Sequence, residues 1–290
     1  MKKIGLALGG GGARGLCHIE FCKALDEMGL KPSIISGTSI GSIVGAFYAG
    51  GMSGSEMRTL TNQLGVLDYT KMIDFSILRR GGLMKGKNVM DFLEKHLPIQ
   101  TFEKLKIPLK IVATDYWKRK QVIFDSGELI PAIRASISIP VIFEPVRTND
   151  IVMIDGGAVN PVPMSVIRDQ CDLLIAIDVS GTNIPTKKKS MPSMFDTIIN
   201  TFHISETVFV ENQLKTYHPE IYIKPQLVNI QLLDFHRSKE IMRSVKNDVD
   251  RFKKELGKQI TREKEWKPEK KKGFWIFKSR NASLSDIFRG

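Results

Sequence analysis

The chain has 290 residues, of which 42% are hydrophobic, and its formal net charge is +12. This hydrophobic fraction allows a sizeable core, which excludes a disordered or fibrous protein. No apolar run approaches the roughly 18 residues of a membrane span, and the N-terminal apolar run breaks into glycines too soon for a signal peptide. We therefore expect a globular, cytoplasmic protein.

Short apolar runs alternate with helical patterns along the chain, and together they predict the secondary structure. The predicted strands cover residues 3–8, 33–36, 109–114, 121–124, 151–154, 173–179 and 220–225. The predicted helices cover residues 13–28, the buried stretch after Ser39, 53–67, 88–96, 128–135, 194–216 and 240–260. Strands that are apolar throughout and alternate with helices predict an α/β fold, a mainly parallel central sheet with helices on both faces.

A glycine-rich loop, GGGARG at residues 10–15, joins the first strand to the first helix and fits G-x-G-x-x-G. A dinucleotide site would need an acidic residue at the end of the second strand, and a P-loop would need Gly-Lys-Ser/Thr; the chain has neither. An oxyanion hole remains possible, because glycine N–H groups at a helix N-terminus can face a developing negative charge. A simple tight turn is the alternative.

Ser39 lies in GTSIG, residues 37–41, which has the G-x-S-x-G spacing of a nucleophile elbow. An apolar strand precedes the serine and a buried helix follows it, as the strand-turn-helix elbow requires. With the glycine-rich loop upstream, two helix N-termini could face one site, and both helix dipoles would favour an oxyanion. Ser39 is therefore the candidate nucleophile.

The proton acceptor for Ser39 is less evident from the residues. His203, His218 and His236 follow the serine, as the histidine of an α/β-hydrolase does, although each fits an ordinary surface or packed histidine. Asp155 ends an apolar strand, and two glycines after it would let the backbone fold tightly behind the carboxylate. A turn aspartate is the alternative for Asp155. The patterns favour Asp155 and leave the histidines open.

In this order, GGGARG, GTSIG and the DGG of residues 155–157 resemble the patatin-like phospholipases. The resemblance covers about residues 3–260 and continues in segments such as AIRASISIPVIFEPV and IYIKPQLVNIQLLDF. It implies one patatin-like domain over residues 1–260, followed by a basic, aromatic-containing tail over residues 261–290. The implied activity is that of a serine lipid acyl hydrolase, of the phospholipase A or esterase type.

The family uses a Ser–Asp dyad without histidine, which implies Ser39 as nucleophile and Asp155 as general base. The resemblance also implies an oxyanion hole and a set of motif glycines. The oxyanion hole would comprise Gly10, Gly11, Gly12 and Arg14, and the further glycines are Gly15, Gly37, Gly41, Gly156 and Gly157. A transacylase or thioesterase on the same dyad, or a non-catalytic lipid-binding protein, are the alternatives. Because no metal-ligand or cofactor spacing is present, we expect neither.

The charge excess is concentrated near the C-terminus, since residues 243–290 hold 15 Lys/Arg against 7 Asp/Glu, a net of +8. Within the tail, KKKGFWIFK joins lysines to an aromatic cluster, a pattern suited to an anionic membrane surface. A solvated or packed tail is the alternative. RRGGLMKGK at residues 79–87 is either a mobile rim over the site or an exposed loop. We expect a phospholipid substrate and no nucleic-acid partner, and the oligomeric state is left open.

Overall fold

A computed structural model describes residues 2–64, 83–181 and 191–265 of the chain. Within these residues, eight strands form one mixed sheet. The strands are β1 (Ile4–Leu8), β2 (Ile34–Thr38), β3 (Leu109–Asp115), β4 (Lys120–Phe124), β5 (Val146–Thr148), β6 (Ile151–Asp155), β7 (Leu173–Ile177) and β8 (Ile221–Ile223). The α-helices are α1 (His18–Glu27), α2 (Ile40–Ala49), α3 (Gly54–Gln63), α4 (Lys87–His96), α5 (Leu129–Ser136), α6 (Met194–Tyr217), α7 (Ser238–Ser244) and α8 (Lys246–Glu265).

Five strands of the sheet run parallel in the order β8-β7-β1-β2-β3. Strands β4, β5 and β6 extend the sheet in antiparallel pairing at the β3 end. The α/β fold with a mainly parallel central sheet is therefore confirmed.

Side chains of the central strands alternate between two cores, because successive residues of a strand point to opposite faces. In β1, Leu6 and Leu8 join the larger core, which includes residues of α1, α2 and α8. Ala7 joins a second core on the other face, with Val162 and with Val210 of α6. Helices thus cover both faces, which is why β1, β2 and β7 are buried along their whole length.

Three elements differ from the sequence prediction. The pattern over residues 240–260 predicts one helix, but the chain forms α7 and α8 with a break at Val245, which is fully buried. The two helices pack on different partners, since α7 contacts the 3-10 helix Gly12–Cys17 and α8 places Phe252 against Phe21 of α1. That 3-10 helix replaces the predicted first turns of α1, and the short strand β5 was not predicted.

Helix α8 extends to Glu265, past the boundary predicted at residue 260. The rest of the predicted tail and residues 79–82 of the RRGGLMKGK segment lie outside the described residues. Among the helices that are described, none combines the length and the apolar composition needed to cross a bilayer.

Candidate active site

Ser39 occupies a strained turn between β2 and α2, with φ 54° and ψ −126°. Few residues with a Cβ adopt such a backbone, so the surrounding structure must hold it. The Ser39 N–H donates to the Ser136 hydroxyl at 2.9 Å, and that hydroxyl donates to the Val112 carbonyl at 2.7 Å. Ser136 is a buried support for the turn that the sequence did not reveal, because it comes from α5. The turn is the elbow that the G-x-S-x-G spacing predicts.

The glycines around Ser39 allow contacts that no other residue would permit. A Cβ on Gly37 would lie 2.5 Å from the Gly41 carbonyl oxygen, and a Cβ on Gly41 would lie 2.2 Å from the Leu8 carbonyl oxygen. A Cβ on Gly15 would lie 2.1 Å from Ile40. The chain can therefore turn this tightly, and pack the glycine-rich loop on the start of α2, only with glycine at these positions.

The glycine-rich loop lies against Ser39, because a Cβ on Gly10 would be 3.3 Å from the Ser39 Cβ. The Gly10 N–H donates to the Pro161 carbonyl at 2.9 Å, and the Ala13 N–H donates to the Leu232 carbonyl at 2.8 Å. Gly11 and Gly12 lie between these two anchored residues and line one small cavity with Ser39. The Gly10 N–H is therefore already engaged, and the oxyanion role of Gly11 and Gly12 stays a prediction.

The pairing of the strands brings Asp155 close to Ser39. Strand β3 pairs with β2 along its first half and with β6 along its second half, on the same edge. Thr38 is therefore opposite Val112, and Asp155 is opposite the next residue, Ala113. Because β2 is parallel and β6 antiparallel to β3, their C-terminal ends meet. Ser39 and Asp155 consequently line the same cavity.

Asp155 is 2% exposed. Its Oδ1 accepts the Gly157 N–H at 2.7 Å, while its Oδ2 is buried and has no hydrogen-bond partner among the described residues. Burial raises the pKa of Asp155 to about 7, against the lowering effects of the Gly157 N–H and the Ser39 hydroxyl. The charge of Glu206 also raises this pKa. The Ser39 hydroxyl is thus close enough to interact, without a hydrogen bond of normal geometry to Oδ2; such bonds often tighten only when substrate binds.

The glycines after Asp155 have steric roles. A Cβ on Gly156 would lie 2.3 Å from the Val112 carbonyl oxygen, and a Cβ on Gly157 would lie 2.3 Å from Oε1 of Glu206. Glu206 is itself buried. The second glycine therefore lets a second carboxylate approach Asp155, a feature of the site that the sequence motifs did not indicate.

His203 is the one of the three candidate histidines that lines the cavity, and both of its ring nitrogens are engaged. Nη2 of Arg14 lies 3.1 Å from Nε2, and Nδ1 lies 2.8 Å from Oε2 of Glu206. Since arginine only donates, Nε2 accepts and Nδ1 carries the proton that is donated to Glu206. Neutral His203 then has no free nitrogen for the Ser39 proton. His218 and His236 are exposed elsewhere.

Arg14 is buried and its three donor groups have partners. Nε donates to the Gly11 carbonyl at 3.1 Å, Nη1 donates to the Ser180 carbonyl, and Nη2 donates to His203. Burial lowers the pKa of Arg14, while Glu206 and Asp178 raise it. The guanidinium therefore links the glycine-rich loop to the segment after β7 and to α6, and its N–H groups donate to protein acceptors.

A large apolar cavity adjoins the small one, and the two share Gly12, Ser39, Ile139 and Leu232. Its empty volume is about 1080 Å³, its opening to solvent included. Its other walls come from α2, α3 and α4 and from residues near Phe143 and Phe235. The candidate nucleophile thus lies where a small cavity that contains Asp155, His203 and Glu206 meets a large apolar one.

The described residues contain no group of three His, Cys, Asp or Glu side chains placed to hold a metal ion. Cys17 and Cys22 are fully buried and Cys171 is half-buried, all as free thiols. Metal and cofactor independence stays a prediction.

The chain has an α/β fold with a mixed sheet, a serine on a strand-turn-helix elbow and a glycine-rich loop beside that serine. These features define the class of α/β proteins with a serine on a nucleophile elbow. The chain belongs to the patatin-like phospholipase family, because that family's model matches residues 6–167, more than half of its length. The match includes the glycine-rich loop, the elbow and the DGG motif, and it confirms the resemblance found in the sequence.

Individual relatives match over larger shares of this chain. An uncharacterized NTE family protein of Mycobacterium tuberculosis is 34% identical over 193 residues, which are 66% of this chain and 53% of that protein. Lysophospholipase NTE1 of Kluyveromyces lactis is 29% identical over 279 residues, 83% of this chain and 18% of that protein. VipD of Legionella pneumophila superposes with a TM-score of 0.47 at 14% identity, over 86% of this chain and 66% of that chain. The chain spans about half the length of the first curated relatives it matches.

Proposed function

We propose that the chain is a serine lipid acyl hydrolase of the phospholipase A or esterase type, with Ser39 as nucleophile and Asp155 as general base. The observation that carries the proposal is the pair of joined cavities. Ser39, Asp155, Gly11 and Gly12 line the small one, and Ser39 also lines the large apolar one. Membership of the patatin-like phospholipase family supports the same activity.

The proposed reaction is a two-step acyl transfer. The Ser39 hydroxyl oxygen attacks the ester carbonyl carbon while Asp155 takes its proton, and the carbonyl oxygen becomes an oxyanion. The Gly11 and Gly12 N–H groups would stabilise that oxyanion, at roughly 3–4 kcal/mol for each donor. The oxyanion collapses, the C–O bond to the alcohol breaks, and Asp155 returns the proton to the alcohol. Water then attacks the acyl-enzyme in the same way and releases the fatty acid.

Asp155 suits this role because its pKa of about 7 makes it a stronger base than an ordinary aspartate. Its unpartnered Oδ2 leaves an acceptor free for the proton. Arg14 has a positioning role in this proposal: by holding the Gly11 carbonyl it fixes the peptide plane that carries the Gly12 N–H.

The activity is tested by fatty-acid release from phosphatidylcholine and lysophosphatidylcholine, comparing wild type with Ser39→Ala. The lysophospholipid is included because a Kluyveromyces lactis relative is named a lysophospholipase. We expect release by wild type alone. A wild type that binds either lipid without releasing fatty acid would instead support the non-catalytic lipid-binding alternative. Transfer of the acyl group to an added alcohol, in preference to water, would identify a transacylase, and faster release from acyl thioesters a thioesterase.

The apolar cavity is proposed to bind the acyl chain, and α2 forms one wall of it. Ile40, Ile43, Val44 and Phe47 line the cavity at helical spacing, starting directly after Ser39. At a rise of 1.5 Å per residue, Phe47 lies about 12 Å along the helix from the serine. The distance from Ser39 along α2 would therefore set the length of the acyl chain that the cavity accepts.

Ile43→Trp is expected to shorten the preferred acyl chain, because Ile43 is only half-buried and lines the cavity one turn beyond Ser39. With a series of p-nitrophenyl esters, activity on long chains should fall by about tenfold or more while activity on the butyrate stays within about twofold. Ser55→Trp on the exposed side of α3 is the control. Equal loss on all chain lengths would show that the cavity does not bind the acyl chain.

The basic tail is proposed to add affinity for anionic membrane surfaces, which its lysines and aromatic residues suit. A phospholipid substrate would make such a contact useful, because the ester bonds lie at a bilayer surface.

A further inference from the structure

Helix α6 has an exposed apolar face with no partner among the described residues. Every exposed side chain between residues 197 and 209 is uncharged, and Ile204 and Val208 are 65% and 53% exposed. A surface helix normally turns charged and polar side chains toward water. The exposed apolar side chains of this surface, called the α6 face below, are Met194, Ile198, Ile204, Val208 and Phe209.

The other side of α6 covers the candidate active site. Phe202, His203 and Glu206 line the small cavity together with Ser39 and Asp155. The α6 face is therefore the outer surface of the helix that closes the site.

An apolar groove connects the α6 face to the candidate active site. Ile198 and Pro140 lie along the groove, and Ile139, Ile199 and Phe202 line both the groove and the small cavity. Ile139 also lines the large apolar cavity. A lipid chain entering between α6 and the segment around Pro140 would stay in contact with apolar side chains as far as Ser39.

A basic aromatic turn is linked to α6 through side-chain hydrogen bonds. In the turn between β3 and β4, Tyr116 is exposed and Trp117 is 72% exposed. The next three side chains, Lys118, Arg119 and Lys120, are exposed as well. The next residue, Gln121, accepts a hydrogen bond from Asn160 at 2.9 Å, and Asn160 accepts one from Gln213 of α6 at 2.7 Å. Exposed tryptophan and basic residues are the side chains that favour the headgroup region of a bilayer.

We propose that the α6 face and the turn at residues 116–120 form the surface that docks on a phospholipid bilayer, with lipid entering along the groove. This inference rests on the proposed function, since it identifies how that site would reach its substrate. The charge favours a bilayer over a second copy of the chain. Lys118, Arg119 and Lys120 of the turn are attracted to anionic lipid, and the same three residues of a second copy would repel them.

The test uses the full chain and vesicles of phosphatidylcholine mixed with phosphatidylglycerol. Ile204→Asp combined with Val208→Asp places two charges on the α6 face, outside both cavities. We expect fatty-acid release from the vesicles to fall by roughly tenfold or more. Hydrolysis of a short soluble ester should be unchanged. Ser55→Asp combined with Thr59→Asp is the matched control, because it adds two charges at the same helical spacing on the exposed side of α3.

A fluorophore on Ile204→Cys, in a Cys171→Ser background, measures docking without turnover. Its emission should shift to the blue and increase when vesicles are added, and a label on Ser55→Cys should not respond. If the chain shows this shift but hydrolyses none of the lipids, the proposed function is wrong and the proposed docking surface is supported. The docking surface would be overturned by an unchanged emission at residue 204. It would also be overturned by vesicle binding that depends only on residues 266–290, or by a dimer that the double Asp variant dissociates while release from vesicles is unchanged.

Discussion

Ser39→Ala is expected to abolish labelling by a fluorophosphonate probe, and Asp155→Asn to slow labelling by roughly 10²–10⁴-fold. The probe reacts with an activated serine hydroxyl, so loss of the hydroxyl removes the reaction. Asparagine keeps the shape of Asp155 and its contact with the Gly157 N–H but cannot accept the Ser39 proton. The measurement is the labelling rate of wild type and both variants, monitored as the increase in protein mass.

The same measurement includes an internal test of the base. If Asp155→Asn is labelled as fast as wild type, Asp155 is not the proton acceptor, and His203→Gln becomes the variant to examine. If wild type is not labelled at all, the serine is not activated, and the non-catalytic alternative gains support.

The labelling rate of wild type should also rise as pH rises through about 7. Only the carboxylate form of Asp155 can take the proton, and burial raises its pKa to about 7. The rate is therefore lost as pH falls below this value. An ordinary aspartate, with a pKa near 3.9, would place the loss at about pH 4. A rate that is flat between about pH 5 and pH 8 would contradict the assignment.

Stability should respond to pH in the opposite sense. Because the folded-state pKa of Asp155 is higher than its unfolded value, the buried carboxylate destabilises the fold. This penalty is absent below about pH 4 and complete above about pH 7. At about pH 8 the free energy of unfolding of Asp155→Asn should therefore exceed that of wild type by roughly 3–4 kcal/mol, which raises its melting temperature. At about pH 4 the two melting temperatures should be nearly the same. A higher melting temperature together with lost labelling would exclude misfolding as the cause.

Gly12→Ala is expected to slow labelling by about 100-fold, because it displaces the proposed oxyanion loop. Gly12 has φ +58°, and a Cβ there would lie 2.2 Å from the Leu232 carbonyl oxygen, so the loop must move. The same labelling assay, with a melting curve for each variant, measures the effect.

Gly29→Ala is the matched control for Gly12→Ala. Gly29 has φ +66°, nearly the same backbone conformation, but a Cβ there meets nothing within 4 Å. Both variants should lose roughly 1–2 kcal/mol of stability from the left-handed backbone, and only Gly12→Ala should also lose labelling. Equal labelling of the two would show that the glycine-rich loop does not contribute to the reaction.

The sequence by itself determined the elements whose causes are local. The five residues from Gly37 to Gly41 contain the elbow motif, since the serine and the two glycines that relieve its crowding are close together in the chain. The strands β1 and β7 could be recognised because burial on both faces leaves them apolar at every position. Three ordered motifs then indicated the family, which the family model confirms.

The tertiary structure decided everything that depends on partners distant in the chain. Ser39 and Asp155 meet because β2 and β6 share one edge of β3. Gly10 is excluded as a free donor by the carbonyl of Pro161, and His203 is engaged by Arg14 and Glu206. The helical pattern over residues 240–260 did not reveal the break between α7 and α8, because the apolar spacing continues across it. The two helices nevertheless pack on different neighbours. Local spacing specifies how a segment folds, whereas hydrogen-bond partners and burial come from residues that only the folded chain brings together.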